Sequence, residues 1–200
     1  MLAFALMCMN AYCLIAWAPT YLGRTFAWSP LQIGLLIGLS NGLMGLLGNV
    51  LWGSIADRLT RRGHTDGVYR AYLVALLLGA PVAIATFLIP HPMVAIIGIC
   101  ASWLLFLGAG PMHAVLGIFV PAHLRGRVSA IAGVGVAVLA IGLTPLLIGG
   151  LTENVFRDRQ MVGASIATVI AVCSVLAWVL LYFGRVHLRE AIARNDATLP

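Results

Sequence analysis

Apolar residues gather into six long runs, at about 2–22, 31–56, 71–89, 93–120, 128–151 and 161–183. Each is close to the roughly 20 residues a helix needs to cross a bilayer. The breaks between them are short and polar. The first, 23–30, carries Arg24. The third is little more than Pro90-His91-Pro92, where two prolines stop the helices on either side. The fourth, 121–127, holds His123, Arg125 and Arg127; the fifth, 152–160, holds Glu153, Arg157, Asp158 and Arg159. The pattern predicts an all-α membrane protein: a six-transmembrane-helix bundle over residues 1–184, then a polar tail, 185–200, that frays after a short amphipathic stretch.

The sharpest break is the second. No charged residue occurs from 31 to 56, and none from 71 to 90. Between those runs stands the block Gly53-Ser54-Ile55-Ala56-Asp57-Arg58-Leu59-Thr60-Arg61-Arg62. Charge of this density must sit in water or among headgroups, so spans two and three form a tight hairpin with its turn at one bilayer face.

Composition closes off the soluble alternatives. The chain is 62% hydrophobic and 9% charged, with a mean hydropathy of +1.02. A soluble domain carries about 25% charged residues, so lipid is the outer solvent here. The net charge of +6 is therefore no sign of nucleic acid. All twelve basic residues are arginines lying outside the apolar runs, where they orient and anchor. With six spans, the side holding both termini receives nine of them and the opposite side only Arg24, Arg157 and Arg159. That bias predicts cytoplasmic termini, in what is expected to be a bacterial inner membrane. The first apolar run lacks a basic lead and is too long for a removable signal, so it reads as a span. Cys8, Cys13, Cys100 and Cys173 all fall within apolar runs and read as core residues, with neither a disulfide framework nor a metal site.

Glycine and proline add detail. Gly34, Gly38 and Gly42 recur every four residues in the second span, followed by Gly45 and Gly48. Such spacing puts the first three on one face. Small residues permit close packing where lipid supplies no hydrophobic drive, so this span is expected at the centre of the bundle. The fifth span carries Gly133, Gly135, Gly142, Gly149 and Gly150, with Pro145 favouring a kink.

The block from Gly53 to Arg62 resembles the signature loop of the major facilitator superfamily, which reads Gly, any residue, Leu, Ala, Asp, Arg, any residue, Gly, Arg, then Arg or Lys. Gly53, Ala56, Asp57, Arg58, Arg61 and Arg62 match; Ile55 and Thr60 depart. Trp17-Ala18-Pro19-Thr20-Tyr21-Leu22 is similar to the seventh helix of spinster-like and anion-symporter-like members. Pro121–Arg127 resembles the turn before the eleventh helix, and Gly142–Gly150 the family's Gly-Pro-rich segment. The resemblance implies one half of a twelve-helix major facilitator fold. The abrupt apolar start and the polar tail fit its C-terminal half. It implies secondary-active transport of a small organic or amphipathic solute, by symport and alternating access. It also implies a gating role for Asp57 as a latch, with Arg58, Arg61 and Arg62 as possible partners and Gly53 as a point of close helix approach. A purely topological anchor is the plainer reading of the same loop.

No Asp, Glu, Lys or Arg lies within the six runs, so a proton-carrying carboxylate or a phosphate clamp would have to come from elsewhere. The polar residues that remain are candidates for lining a solute path: Asn10 and Tyr12 on the first span, Asn41 on the second, Trp103 and His113 on the fourth. For the asparagines and the histidine, helix packing explains the residue equally well. Trp17, Tyr21 and Trp28 fit an interfacial belt. Enzyme readings fail on their motifs: Gly163-Ala164-Ser165-Ile166 lacks the final glycine of an intramembrane serine protease, and no clustered metal ligands occur. No catalytic residue, metal or cofactor is expected. The expected partners are a small-molecule solute, membrane lipid, and either an N-terminal six-helix half or a second copy. A six-helix channel or homodimeric carrier is the alternative.

Overall fold

The computed structural model describes the backbone of residues 2–64, 66–106 and 123–196, and their side chains except those of 125 and 185–196. Among the described residues the structure is helical. The helices are α1 (Leu2–Phe26), α2 (Pro30–Arg61), α3 (Gly67–Leu88), α4 (Pro92–Phe106), a composite α5 over residues 125–155, and α6 (Val162–Asp196). Five of them are long and apolar enough to span a membrane; α4 is apolar but shorter within the described residues. The chain is thus an integral membrane helical bundle.

Several boundaries move outward from the sequence reading. The helix α2 does not stop at the charged block but runs through it to Arg61. At 32 residues it is about 48 Å long, well over the ~30 Å hydrocarbon core. Its last two turns therefore carry the charges out of the lipid. Its start is fixed by a capping box: the Ser29 hydroxyl accepts from the Gln32 amide, the Gln32 side chain accepts from the Ser29 amide, and Pro30 opens the helix. The first part of the polar tail is helical, since α6 continues to Asp196. The fourth span is described only to Phe106.

The helix α1 packs between α5 and α6, α3 between α4 and α6, and α2 against α3 and α4. The main core draws on α1, α3, α4, α5 and α6, with Leu14, Trp103, Ile148, Ile166 and Leu181 fully enclosed. A smaller cluster of Trp52, Ala56, Ala71 and Ala75 joins α2 to α3.

Close contact is made by glycines other than the regular series. A Cβ at Gly48 would stand 2.6 Å from the Leu104 carbonyl oxygen. One at Gly98 would collide with Thr86, and one at Gly163 with the Phe87 carbonyl and the Tyr21 ring. By contrast, nothing lies within 4 Å of a Cβ placed at Gly34, Gly38 or Gly42. The central position expected for this span is thus corrected: within this chain α2 is peripheral and its glycine face is open. Regular spacing marks a face suited to packing; it does not say that the partner is in the same bundle.

The fifth span departs from a simple kink at Pro145. Its helix is α over Arg125–Ala137, π over Val138–Leu143, α over Thr144–Gly150 and π again over Leu151–Val155. Pro145 sits in the first turn of the inner α segment. Its missing N–H is accommodated by the wider π turn before it, where the Thr144 hydroxyl donates to the Leu139 carbonyl, five residues back, at 3.5 Å.

Candidate functional site

Two features gather the chemistry: the charged turn between α2 and α3, and the polar atoms enclosed on α1 and α4.

At the turn, α2 ends with the Arg62 amide donating to the Arg58 carbonyl (3.1 Å), Gly63 to Thr60 (3.0 Å) and His64 to Leu59 (3.1 Å). Gly63 has φ +84°, the left-handed conformation that closes many helices and that glycine adopts without penalty. Thr60, where the signature prefers glycine, stays helical and donates its hydroxyl to Ala56 at 2.9 Å. The turning glycine lies three residues further on.

Asp57, Arg58, Arg61 and Arg62 are all exposed. The expected pairing of Asp57 with one of these arginines is not formed: among the described residues the ion pair is Asp66–Arg70, with Arg70 Nε at 3.0 Å and 3.2 Å from the two carboxylate oxygens. Asp57 and Arg61 are also four apart on α2, a spacing that permits a pair, yet none is formed. Gly53 is half-buried, with nothing within 4 Å of a Cβ placed there. The charged signature residues are thus exposed, while Ala56 of the same signature is buried against Ala71 and Ala75 of α3.

Sequence reasoning missed two residues here. Asp66 is 1% exposed and tethers the first turn of α3. Trp52 is buried and its indole N–H donates to the Leu104 carbonyl at 3.0 Å, clasping α2 to α4 beside Gly48. The signal for Trp52 was legible: Gly48, Trp52 and Ala56 recur every four residues on one face.

The lining candidates scatter. Asn10 is fully buried and donates from Nδ2 to the Ser174 hydroxyl of α6 at 3.1 Å. Trp103 is fully buried in the core. Tyr12 and Asn41 are half-buried on α1 and α2. Asn49, two turns further along α2, is exposed and donates to the Gly45 carbonyl of its own helix at 2.9 Å. His113 lies outside the described residues. Tyr21 is corrected from interfacial belt to core: it is 2% exposed, donates to the Thr86 carbonyl at 3.3 Å, and sets its ring edge-on to Phe87 at 5.1 Å.

Among the described residues, three buried polar atoms on α1 and α4 find no hydrogen-bond partner: Asn10 Oδ1, Ser102 Oγ and Trp103 Nε1. In hydrocarbon each carries a desolvation cost of about 1–3 kcal/mol until a partner arrives. Ser102 was not singled out from the sequence, because a serine in an apolar run has no distinguishing mark. Among the described residues no group of His, Cys, Asp or Glu could hold a metal.

The second open region is a pair of helices. Only 17% of the most apolar stretch of α2, and 17% of that of α5, is buried inside the bundle, against 56% for α1 and 50% for α3. Comparison with known proteins bears on the same features. The chain is 23% identical over 184 residues to an MFS-type efflux pump of Mycolicibacterium smegmatis, an alignment covering 90% of this chain and 42% of that protein. It thus spans less than half the length of the curated relative it matches. The model of the Major Facilitator Superfamily matches residues 1–198, nearly end to end, and the chain belongs to that family of membrane transporters.

Proposed function

We propose that this chain forms one six-helix half of a secondary-active transporter that moves a small organic or amphipathic solute by alternating access. The observation that carries the reading is the bareness of α2 and α5 beside a free signature turn. Two helices with apolar, glycine-bearing faces and little burial suit a second six-helix bundle, and transporters of this kind are built from such paired repeats. We take the chain as the C-terminal half, its partner being the N-terminal half or, in a homodimeric carrier, a second copy. The arginine bias favours cytoplasmic termini, in a bacterial inner membrane.

The proposed solute class is supported by the polar groups enclosed in the bundle. The spans carry no charge, and the unpaired atoms of Asn10, Ser102 and Trp103 supply one acceptor, one hydroxyl and one N–H donor. Such a set suits a weakly polar or amphipathic molecule, of the sort spinster-like members handle, better than a multiply charged one. The efflux designation of the mycobacterial relative favours export. A coupling ion for symport would bind in the other half.

Asp57 is the proposed latch. It stands free at the end of α2, so its partner in the latched state would come from the second bundle. A latch of this kind biases one of two conformations, with coupling of roughly 1–3 kcal/mol. Asp57→Asn in the complete transporter should lower the transport rate in membrane vesicles by roughly fivefold or more, at unchanged protein level in the membrane. An unchanged rate would sink the latch and leave the turn as a topological anchor.

A further inference from the structure

Between α1 and the first half of α5 runs an open crevice of about 430 Å³, walled by Leu2, Ala5, Ile131, Ala132, Gly135 and Leu139 among other aliphatic residues. Its origin lies in the irregular fifth helix. The face of α5 that meets the bundle is Ala140, Thr144, Ile148 and Thr152, all buried and four residues apart. None of residues 126–139 is buried. The two helices thus meet at the first π turn and diverge below it, toward the end that carries the signature turn. Small residues deepen the gap: nothing lies within 4 Å of a Cβ placed at Gly135.

We propose that this crevice is a binding site for one acyl chain of an anionic phospholipid, with its headgroup held at Arg127. The argument is one of charge and depth. Arg127 is exposed, and the next residue, Val128, already lines the crevice. Among the described side chains the ion pair is Asp66–Arg70, and no carboxylate there pairs with the Arg127 guanidinium. From Val128 to Leu139 the wall descends about 16 Å along the helix, close to half the ~30 Å hydrocarbon core. One leaflet's acyl chain therefore matches the crevice from mouth to floor. The described lining is aliphatic, which separates this site from the polar atoms on α1 and α4. The proposal rests on the bundle and its membrane setting, and stands whichever half this chain supplies.

The test is photocrosslinking of the full chain in nanodiscs, using phosphatidylglycerol with a diazirine in its acyl chain and the matching phosphatidylcholine. Labelling should map to residues 2–5 and 128–139, with phosphatidylglycerol favoured roughly fivefold, the share of one arginine at an anionic surface. Gly135→Leu, which fills the crevice without touching the bundle, should abolish labelling there while the melting temperature holds. Arg127→Gln should erase the preference and leave some labelling. Equal labelling by the two lipids, or labelling indifferent to Gly135→Leu, overturns the proposal. So does finding these residues crosslinked to a second copy of the chain, since the crevice would then be a protein contact.

Discussion

The helices α1 and α2 have the same mean hydropathy in their most apolar stretch, 1.6, yet 56% of one is buried and 17% of the other. In water those burials would demand different compositions. In lipid they do not, because a bare leucine on α2 is as well solvated by acyl chains as a packed one on α1. What separates the two helices is where their polar groups reach. On α1, Asn10 bonds to Ser174 and Tyr21 to Thr86, partners 164 and 65 residues away in sequence. On α2, Ser40, Asn49 and Ser54 donate to the carbonyls of Ile37, Gly45 and Leu51, each within one turn of their own helix. A helix that satisfies its own polar groups needs no neighbour there. The exception is Trp52, which reaches Leu104; α2 is thus fastened at its signature end.

The largest effect should come from opposing two glycines. Gly98 leaves no room beside Thr86, whereas Gly38 faces nothing within 4 Å. Gly98→Leu should therefore destabilise the bundle by about 3 kcal/mol or prevent its accumulation. Gly38→Leu should change the stability of this chain by less than about 0.5 kcal/mol, and act only on association with a second bundle. Unfolding in mixed detergent micelles reads the first. Crosslinking between halves of the complete transporter reads the second. Equal effects on the isolated chain would mean that the bare face of α2 packs within the bundle after all.

How much of this was legible beforehand follows from the same physics. Span number, the charged turn and its family signature depend on local composition, and a break such as 57–62 in an apolar chain has one solution. The close contacts were not legible. Gly163 is the one glycine of its run and Gly98 belongs to no regular series, while the series at 34, 38 and 42 points away from this bundle, because spacing reports a face and not its partner. Asp66 was overlooked beside Asp57 since both are acids in one polar break; only the fold brings the first under Arg70, with 1% exposure. The π turns around Pro145 depend on how α5 leans on α1, and no residue type announces that.

Next in size is the fastening of α2. Trp52→Phe keeps the ring but removes the N–H that the Leu104 carbonyl accepts. The expected cost is about 1 kcal/mol, read as a lower unfolding midpoint with the slope unchanged. If α2 is held only at this end, the variant should also raise the accessibility of a cysteine placed at Leu59, on the edge of the Trp52 cluster, to a membrane-impermeant thiol reagent. Unaltered accessibility would mean that the Ala56, Ala71 and Ala75 contacts hold α2 without the hydrogen bond.

The smallest effects test the polar contrast directly. Ser174→Ala removes the bond to Asn10 and leaves a buried amide with neither Nδ2 nor Oδ1 paired. Interhelical hydrogen bonds in membranes average about 0.6 kcal/mol and reach about 1.7; this one belongs toward the upper part of that range, since the amide has no water to fall back on. Ser54→Ala removes a bond within one turn of an exposed helix and should cost less than about 0.3 kcal/mol. Asn10→Leu should cost less than Ser174→Ala, because replacing a half-satisfied amide with an apolar side chain also removes its unpaired oxygen. If Asn10→Leu proved the costlier of the two, the Oδ1 atom would be paired in the membrane-embedded protein, and the place to look for its partner would be the unpaired indole and hydroxyl of Trp103 and Ser102, bridged by water or solute.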